Sequence, residues 1–257
     1  MRRQWARRMA WTPIAAAAAA LLAGPILAST PLSVGVSQNM EATLFAPGGA
    51  GPYPGVVVLH ATGGPRQGDL GFASQLADAG FVALVPAFMK AYGITPQTRQ
   101  AAFTADADAI YADLVSAIDT LRRSDKVRGG RIGVVGFAGG GYFAAWLAAT
   151  SKVQAGVAYY GDFTGAGTDK ALDRFRAVFT SSSAPLLILH GSDDYTAPAE
   201  AARHLATILD AAHSPYDIEL YPRVGDEFDR SLGIAADRAA ASDAWDRTVA
   251  FLASVLK

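Results

Sequence analysis

The amino-acid sequence predicts an α/β fold with a mainly parallel sheet and helices on both faces. Short β-branched, apolar runs recur along the chain, stretches with helical spacing separate them, and several runs end in glycine-rich loops. This alternation is typical of parallel sheets, because each parallel strand needs a crossover connection that a helix supplies. No internal repeat or linker interrupts the pattern, so we expect a single domain over residues 29–257.

The composition excludes several classes of protein. Hydrophobic residues make up 51% of the chain and charged residues 18%, which excludes a disordered or collagen-like protein. The formal net charge of −1 offers no attraction for nucleic acid, and we expect no nucleic-acid partner. The chain has no Cys, which excludes disulfides, thiolate metal sites and a cysteine nucleophile. Since no metal-binding motif is present either, we expect neither a metal ion nor a cofactor.

The first 28 residues are typical of a secretory signal peptide. Four arginines precede an uninterrupted apolar stretch, residues 14–23, and the small residue Ala28 stands at the expected cleavage point. The stretch is shorter than the roughly 20 residues of a membrane-spanning helix, which favours a cleaved leader over a membrane anchor. The pair Arg7 and Arg8 is also compatible with a twin-arginine signal. We expect cleavage after Ala28, a periplasmic or secreted protein, and no membrane contact afterwards.

For the first half of the domain, the sequence predicts a hairpin, two buried strands and two helices. Strands are predicted at 33–37, 40–46, 55–60 and 81–86, the first two as a hairpin. The last two are β-branched or apolar runs, the pattern of strands buried on both faces. A helix is predicted over 69–79, because Gly80 stands where a helix ends. A longer helix is predicted over 104–123, because Ile110, Leu114, Ile118 and Leu121 recur on one face.

Two stretches of this half have no clear periodic role. Residues 88–103 show few periodic signals, and we interpret them as a loop or a lid over the site. The long helix also carries four aspartates, Asp106, Asp108, Asp113 and Asp119. We interpret these carboxylates as the solvent-exposed face of the helix.

The second half of the domain continues the alternation. The strand at 131–137 runs through glycines directly into a helix at 141–150. Further strands are predicted at 154–160, 186–190 and 216–221, with a helix at 198–211. A final helix is predicted because four apolar residues, Trp245, Val249, Leu252 and Leu256, lie on one stripe.

Motifs follow four of the predicted strands, at the carboxyl ends where such folds carry their chemistry. They are His60-Ala-Thr-Gly-Gly64, Gly136-Phe-Ala-Gly-Gly140, His190-Gly-Ser-Asp-Asp-Tyr-Thr-Ala-Pro198 and Tyr221-Pro-Arg-Val-Gly-Asp-Glu-Phe228. Their order resembles the dienelactone hydrolase family of α/β-hydrolases, over about residues 35–257. The resemblance implies the α/β-hydrolase fold and activity on small carboxylic esters or lactones.

The second motif has the pattern of a nucleophile elbow with its nucleophile replaced. An elbow reads Gly-x-nucleophile-x-Gly, because the tight turn from strand to helix leaves no room for side chains beside the exposed one. In this chain the middle position is Ala138. A methyl group cannot attack a carbonyl carbon, so we expect no acyl-enzyme at this position.

The other catalytic positions implied by the resemblance are partly kept. Asp194 matches the acid that orients the catalytic histidine, whereas Asp226 stands where the family has that histidine. Ala61 stands where the family has a glutamate that contacts the nucleophile. The four histidines, His60, His190, His204 and His213, fall elsewhere in the sequence. We therefore interpret Ala138, Asp194 and Asp226 as the altered catalytic positions.

Anion-stabilising groups survive these replacements, because main-chain donors do not depend on the side chain. We expect the N–H of Gly139 and an N–H from the loop at 61–63 to form an oxyanion hole. Ala61, Thr62, Gly139 and Tyr195 are the predicted substrate-binding residues. Further aromatic residues near these loops, Phe88, Tyr92, Tyr142, Tyr159, Tyr160 and Phe163, indicate either ordinary packing or an apolar pocket. The expected ligand is a small ester, a lactone or another apolar molecule.

Three functional hypotheses remain open at this point. The first is a pseudoenzyme that binds a small ligand, favoured by two independent losses at Ala138 and Asp226. The second is an enzyme in which Asp194 and Asp226 converge, share a proton and activate a water molecule for direct attack on an ester or lactone. The third is a laboratory variant of a serine esterase, against which Asp226 argues. A dinucleotide site is disfavoured, because the glycine stretch lacks the middle glycine of Gly-x-Gly-x-x-Gly.

Overall fold

Eight strands form one sheet in the computed structural model, which describes residues 27–163, 170–230 and 235–257. The strands are β1 (Leu27–Val34), β2 (Met40–Ala46), β3 (Tyr53–Leu59), β4 (Val82–Pro86), β5 (Val127–Phe137), β6 (Ala155–Tyr159), β7 (Leu186–Gly191) and β8 (Tyr216–Tyr221). Their order across the sheet is β1-β2-β4-β3-β5-β6-β7-β8. The strands from β4 to β8 in this order are parallel, and β1 and β2 are antiparallel additions at one edge.

Eight helices occur within the described residues. They are α1 (Gln67–Asp78), α2 (Phe88–Ala91), α3 (Arg99–Ala105), α4 (Ala107–Arg122), α5 (Gly139–Ala149), α6 (Lys170–Val178), α7 (Ala199–Ala211) and α8 (Ala235–Leu256). In the part of the chain that the structure describes, none of the helices has the length and apolar character that crossing a bilayer requires.

Alternate residues of the central strands face opposite layers of helices. Val57 and Leu59 belong to the hydrophobic cluster that contains α4, α5 and α7, whereas Val56 and Val58 belong to the cluster with α1 and α8. Because side chains alternate along a strand, both faces of the sheet are buried. The predicted mainly parallel sheet with helices on both faces is therefore confirmed.

The strand and helix predictions differ from the structure mainly in the first strand and in two helices. The strand predicted at 33–37 is wrong over most of its length, because β1 ends at Val34 and Gly35, with a φ of 113°, begins the turn to β2. The predicted helix at 104–123 is interrupted at Asp106, which ends α3 and begins α4 with a non-helical φ of −111°. Helix α6 was not predicted from the sequence. It has nine residues, and only Leu172 and Phe175 are buried on its inner side among those described, too few for a periodic signal.

The interpretation of residues 88–103 as a loop or lid is only partly correct. The segment contains α2 and the start of α3, and Phe88, Met89, Ile94 and Phe103 are buried against the core. The apolar residues of these helices give no recognisable helical period in the sequence, because each helix is shorter than about two turns.

The interpretation of Asp113 as solvent-exposed is wrong. Its side chain is fully buried and accepts the backbone N–H groups of Val36, Ser37 and Gln38 at 2.6, 2.6 and 2.9 Å. The hydroxyl of Tyr92 donates to the same carboxylate at 2.7 Å. These donors replace water, so a buried carboxylate is stable there.

The predicted leader, residues 1–28, lies outside the described residues except for Leu27 and Ala28, which begin β1. Cleavage after Ala28 stays a prediction.

Candidate active site

The turn between β5 and α5 is a strand-to-helix elbow with Ala138 at its tip. Ala138 has φ 48° and ψ −115°, a backbone conformation that is costly for any residue with a side chain. A methyl group on Gly136 would lie 2.1 Å from the carbonyl oxygen of Gly140, and one on Gly140 would lie 2.2 Å from that of Leu59. Only glycine fits at either position. The chain thus keeps a strained nucleophile turn around a residue that cannot act as a nucleophile.

The loop after β3 packs directly against this elbow. A methyl group on Gly140 would also lie 2.8 Å from the carbonyl oxygen of His60. Gly63 and Gly64 have φ of 103° and 94°, so the loop turns sharply through conformations that favour glycine. Ala61 is buried and Thr62 half-buried beside them. The structure therefore packs the loop that carries Ala61 and Thr62 against the elbow, and their role in substrate binding stays a prediction.

Gly139 is the first residue of α5. The N–H groups of a first helical turn have no acceptor four residues earlier within the helix. That of Gly141 donates to the carbonyl oxygen of Ala138 at 2.9 Å, which leaves the N–H of Gly139 for a ligand. The N–H groups of this turn also lie at the positive end of the helix dipole, which favours a negative charge or a polarised carbonyl oxygen. The arrangement is suited to holding a carbonyl oxygen above Ala138.

Asp194 lies in the turn after β7 and is almost fully buried. Its Oδ1 accepts the backbone N–H groups of Thr196 and Ala197, each at 2.8 Å. Its Oδ2 has no hydrogen bond within the part of the chain described. Nε2 of His190 is 3.5 Å away, but it is 2.7 Å from the carbonyl oxygen of Ala197 and donates there instead. One carboxylate oxygen is thus left without a donor.

Asp226 lies in the loop after β8 and is half-buried. Burial raises the pKa of its carboxyl, and the charge of Asp194 raises it further. The side chain of Thr196 and the backbone N–H of Glu227 lower the pKa, but they do not compensate. The loops after β7 and β8 converge, because the backbone N–H groups of Ser192 and Asp193 donate to the carbonyl oxygens of Tyr221 and Val224 at 2.8 and 2.9 Å.

The four histidines do not replace the missing one. His60 is fully buried, its Nδ1 donates to the carbonyl oxygen of Ala61 at 2.7 Å, and burial lowers its pKa to about 4. His190 is fully buried beneath Asp194. His204 is an exposed helix residue 3.3 Å from Glu200, and His213 is exposed after α7. Two of the four histidines are therefore enclosed by protein, and the other two lie on the surface of α7 or just after it.

Tyr195 does not enclose a pocket, because 93% of its surface is exposed. Among the other aromatic residues, Tyr92 binds Asp113, and the hydroxyl of Tyr159 donates to the carbonyl oxygen of Ala244 at 2.9 Å. Tyr160 donates to Asp229 at 2.7 Å. These three therefore have structural partners, which favours the packing interpretation for them.

The sequence analysis missed Asp162, three residues beyond the end of β6. Its backbone N–H donates to the carbonyl oxygen of Ala138 at 3.0 Å. Its carboxylate is almost fully buried, and its Oδ2 lies 3.5 Å from Nη2 of Arg99. Position after a strand end was the only available signal, since the residue belongs to none of the motifs.

A partly buried network of ion pairs joins the loop after β8 to the start of α1. Nη2 of Arg230 donates to Oδ1 of Asp69 at 2.5 Å, and Nε lies 3.5 Å from Asp229. Asp69 also accepts the backbone N–H of Arg66 at 2.8 Å, and Arg66 pairs with Glu227. The loop that carries Asp226 is thereby tied to the start of α1.

Comparison with known proteins agrees with this geometry. The model of the dienelactone hydrolase family matches residues 40–256. The chain belongs to the dienelactone hydrolase family. A relative from Methylorubrum extorquens is 28% identical over 247 residues, which cover 93% of this chain and 83% of the relative. The carboxymethylenebutenolidase of Pseudomonas putida is 29% identical over 213 residues, covering 79% and 86%.

Solved structures give the same result. A structure from Klebsiella pneumoniae has a TM-score of 0.75 and 25% identity, and the match covers 90% of this chain and 99% of that one. The sheet and the elbow of this dienelactone hydrolase family member are therefore those of the α/β-hydrolase fold.

Proposed function

We propose that this protein binds small carboxylic esters or lactones at the elbow and forms no covalent acyl intermediate there. The backbone of Ala138 carries the proposal, because its strained φ of 48° persists without a nucleophile. Such strain costs on the order of 1–3 kcal/mol and is kept where the surrounding structure and function require it. The N–H of Gly139 supports the proposal as a donor for the carbonyl oxygen of the ligand.

A second candidate function is hydrolysis by direct attack of water. It is favoured by the convergence of the loops after β7 and β8, which carry Asp194 and the half-buried Asp226, whose pKa is raised by burial and by the charge of Asp194. In this reaction the water oxygen attacks the carbonyl carbon while the Asp226 carboxylate takes the water proton. The bond to the leaving oxygen then breaks, and that oxygen takes the proton back. Because the base must be ionised, the rate would rise with pH through the raised pKa of Asp226.

One assay separates the two candidates. The chain lacking residues 1–28 is supplied with a short activated acyl ester and an enol lactone, and hydrolysis is measured beside the double variant Asp194→Asn/Asp226→Asn. Equal rates for both proteins support binding without turnover. A rate clearly above that of the variant, which rises with pH as described, contradicts the binding proposal and supports attack by water.

The proposed site of action is the periplasm or the extracellular medium. The basic head and apolar stretch of the first 28 residues support export. Fractionation of cells that express the full chain, with sequencing of the mature amino terminus, tests this. A mature protein that begins at Ser29 outside the cytoplasm is expected, and an intact Met1 in the cytoplasmic fraction would contradict it.

A further inference from the structure

Helix α3 covers the elbow with one face. Arg99 and Phe103 are four residues apart, so they lie on the same side of the helix. Phe103 is 7% exposed, and the Arg99 side chain is 24% exposed. Their neighbours Gln100, Ala101 and Thr104 face solvent. The inner face of α3 is therefore the one that carries an aromatic ring and a cation.

The ring of Phe103 lies against the first residue of α5. A methyl group on Gly139 would be 2.9 Å from Cζ of Phe103 and 3.0 Å from Cε of Met89. The space beside the proposed carbonyl-binding N–H is thus occupied by two apolar side chains. Tyr142 and Phe143 hold the Phe103 ring from behind, with centroids 6.0 and 5.3 Å away.

Arg99 attaches the same helix to the other side of the elbow. Its Nη2 lies 3.5 Å from Oδ2 of Asp162, and the backbone N–H of Asp162 donates to the carbonyl oxygen of Ala138. The Asp162 carboxylate is only 5% exposed, so a nearby cation compensates part of its desolvation. Helix α3 is therefore held at two points, by an ion pair and by an aromatic contact.

We infer that Phe103, positioned by the Arg99–Asp162 pair, sets the upper size of the group that can reach Ala138. This inference extends the proposed function, because it takes from that proposal that the ligand is an ester or a lactone. A ligand whose carbonyl oxygen meets the N–H of Gly139 must place its neighbouring group against Phe103 and Met89. On this inference the site accepts small acyl groups and small lactones, whereas a bulky acyl group is excluded until the ring is removed.

Access to residue 138 can be measured without any ligand. The chain has no Cys, so the thiol introduced by Ala138→Cys is the only one and its alkylation rate reports access. The ratio of the rate with N-phenylmaleimide to the rate with iodoacetamide measures size selection. In the Ala138→Cys background, Phe103→Ala is expected to raise this ratio by about tenfold, the effect of enlarging an apolar pocket. Arg99→Gln is expected to raise it by about threefold, as loss of a partly exposed ion pair allows.

Two matched controls complete the test. Phe175→Ala removes a buried ring that packs 5.3 Å from Tyr142 and does not approach Gly139 among the nearest atoms. Arg203→Gln removes a surface ion pair with Glu200. Both are expected to leave the ratio within about twofold of that of the Ala138→Cys protein, since neither residue belongs to the inner face of α3. Circular dichroism confirms folding, and Phe103→Leu with Met89→Ala replaces Phe103→Ala if that variant unfolds.

An unchanged ratio in folded Phe103→Ala, or in the Phe103→Leu/Met89→Ala variant that replaces it, would overturn the inference, as would an equal rise in Phe175→Ala. This outcome is independent of the proposed function. If no ester or lactone binds the wild-type chain while the labelling ratio rises as expected, the proposed ligand is wrong and the role of Phe103 stands.

Discussion

Two carboxylate regions of this protein are held in opposite ways. On α4, Asp113 is surrounded by three backbone N–H groups and the Tyr92 hydroxyl. In the loops after β7 and β8, Oδ2 of Asp194 has no hydrogen bond within the described residues, and Asp226 experiences the like charge of Asp194. The first carboxylate connects the β1–β2 hairpin to α4. Asp194 also holds its own turn, since its Oδ1 accepts the N–H groups of Thr196 and Ala197, so the contrast lies in its Oδ2 and in Asp226.

The two regions therefore have opposite electrostatic character. Burial by itself would raise the pKa of Asp113, but the hydrogen bonds from the 36–38 backbone and from Tyr92 outweigh it, and the pKa is lowered. Burial and the Asp194 charge raise the pKa of Asp226. A carboxylate that serves stability receives hydrogen bonds on both oxygens, whereas a buried carboxylate with too few donors indicates a functional position.

The largest expected effect comes from restoring the family's chemistry at the elbow. The double variant Ala138→Ser/Asp226→His supplies a nucleophile at the strained turn and a base beside the free Oδ2 of Asp194. We expect hydrolysis of a short activated ester to rise at least about 100-fold over the wild-type chain, because a triad acts as a unit. The initial rate of product release measures this.

Its controls use the same positions. Ala138→Ser alone lacks the base, and adding Asp194→Asn to the double variant removes the orienting acid, so both are expected to stay near the wild-type rate. A folded double variant without gain would contradict the view that Asp194 Oδ2 is oriented for an imidazole.

A smaller effect is expected at Asp113, whose carboxylate accepts four hydrogen bonds. Asp113→Asn replaces one of the two carboxylate oxygens by an amide NH₂ group, which donates and cannot accept. The side chain then cannot accept all four hydrogen bonds, and we expect a loss of about 2 kcal/mol in the free energy of unfolding at pH 7. Because its folded pKa is lowered, Asp113 stabilises fully above its unfolded pKa. That stabilisation is lost as the pH falls through the folded pKa. Urea unfolding of both proteins at pH 7 and at low pH would reveal a difference that shrinks in acid. A difference that grew in acid would contradict this account.

The smallest effect is expected at Asp226, with the opposite sign. Asp226→Asn removes a like charge beside Asp194, so we expect the variant to be more stable at pH 7, by less than about 1 kcal/mol because the site is partly open to solvent. The pKa of Asp226 is raised in the folded protein, so its ionisation destabilises the wild type. This loss of stability is absent below the pKa of Asp226 in the unfolded chain and grows as the pH rises through the pKa in the folded protein. Unfolding curves across that pH range would show it. A destabilised variant at neutral pH would contradict this expectation, because the hydrogen bonds from Thr196 and from the Glu227 N–H would then outweigh the repulsion by Asp194.

Sequence patterns predicted the elbow and the sheet because glycine spacing and apolar runs are local. Gly136 and Gly140 bracket a turn that only glycine can form, so the position of Ala138 followed from the sequence. The same approach placed Asp113 in solvent, because polarity on a helix is interpreted as exposure unless the distant partner is known. Its donors are 75–77 residues away in the chain. Asp162 was missed for the same reason, since its contact with Ala138 is tertiary.

Calorimetric titration with a small γ-lactone tests the central claim most directly. The wild-type chain and Ala239→Leu, a control on the exposed face of α8, are expected to bind one lactone per chain. Ala138→Leu, which fills the space above the elbow, is expected to weaken binding at least about tenfold through steric exclusion. Absence of saturable binding by the wild-type chain, or equal affinity of the Ala138→Leu variant, would contradict the claim that the elbow is a binding site for carbonyl compounds.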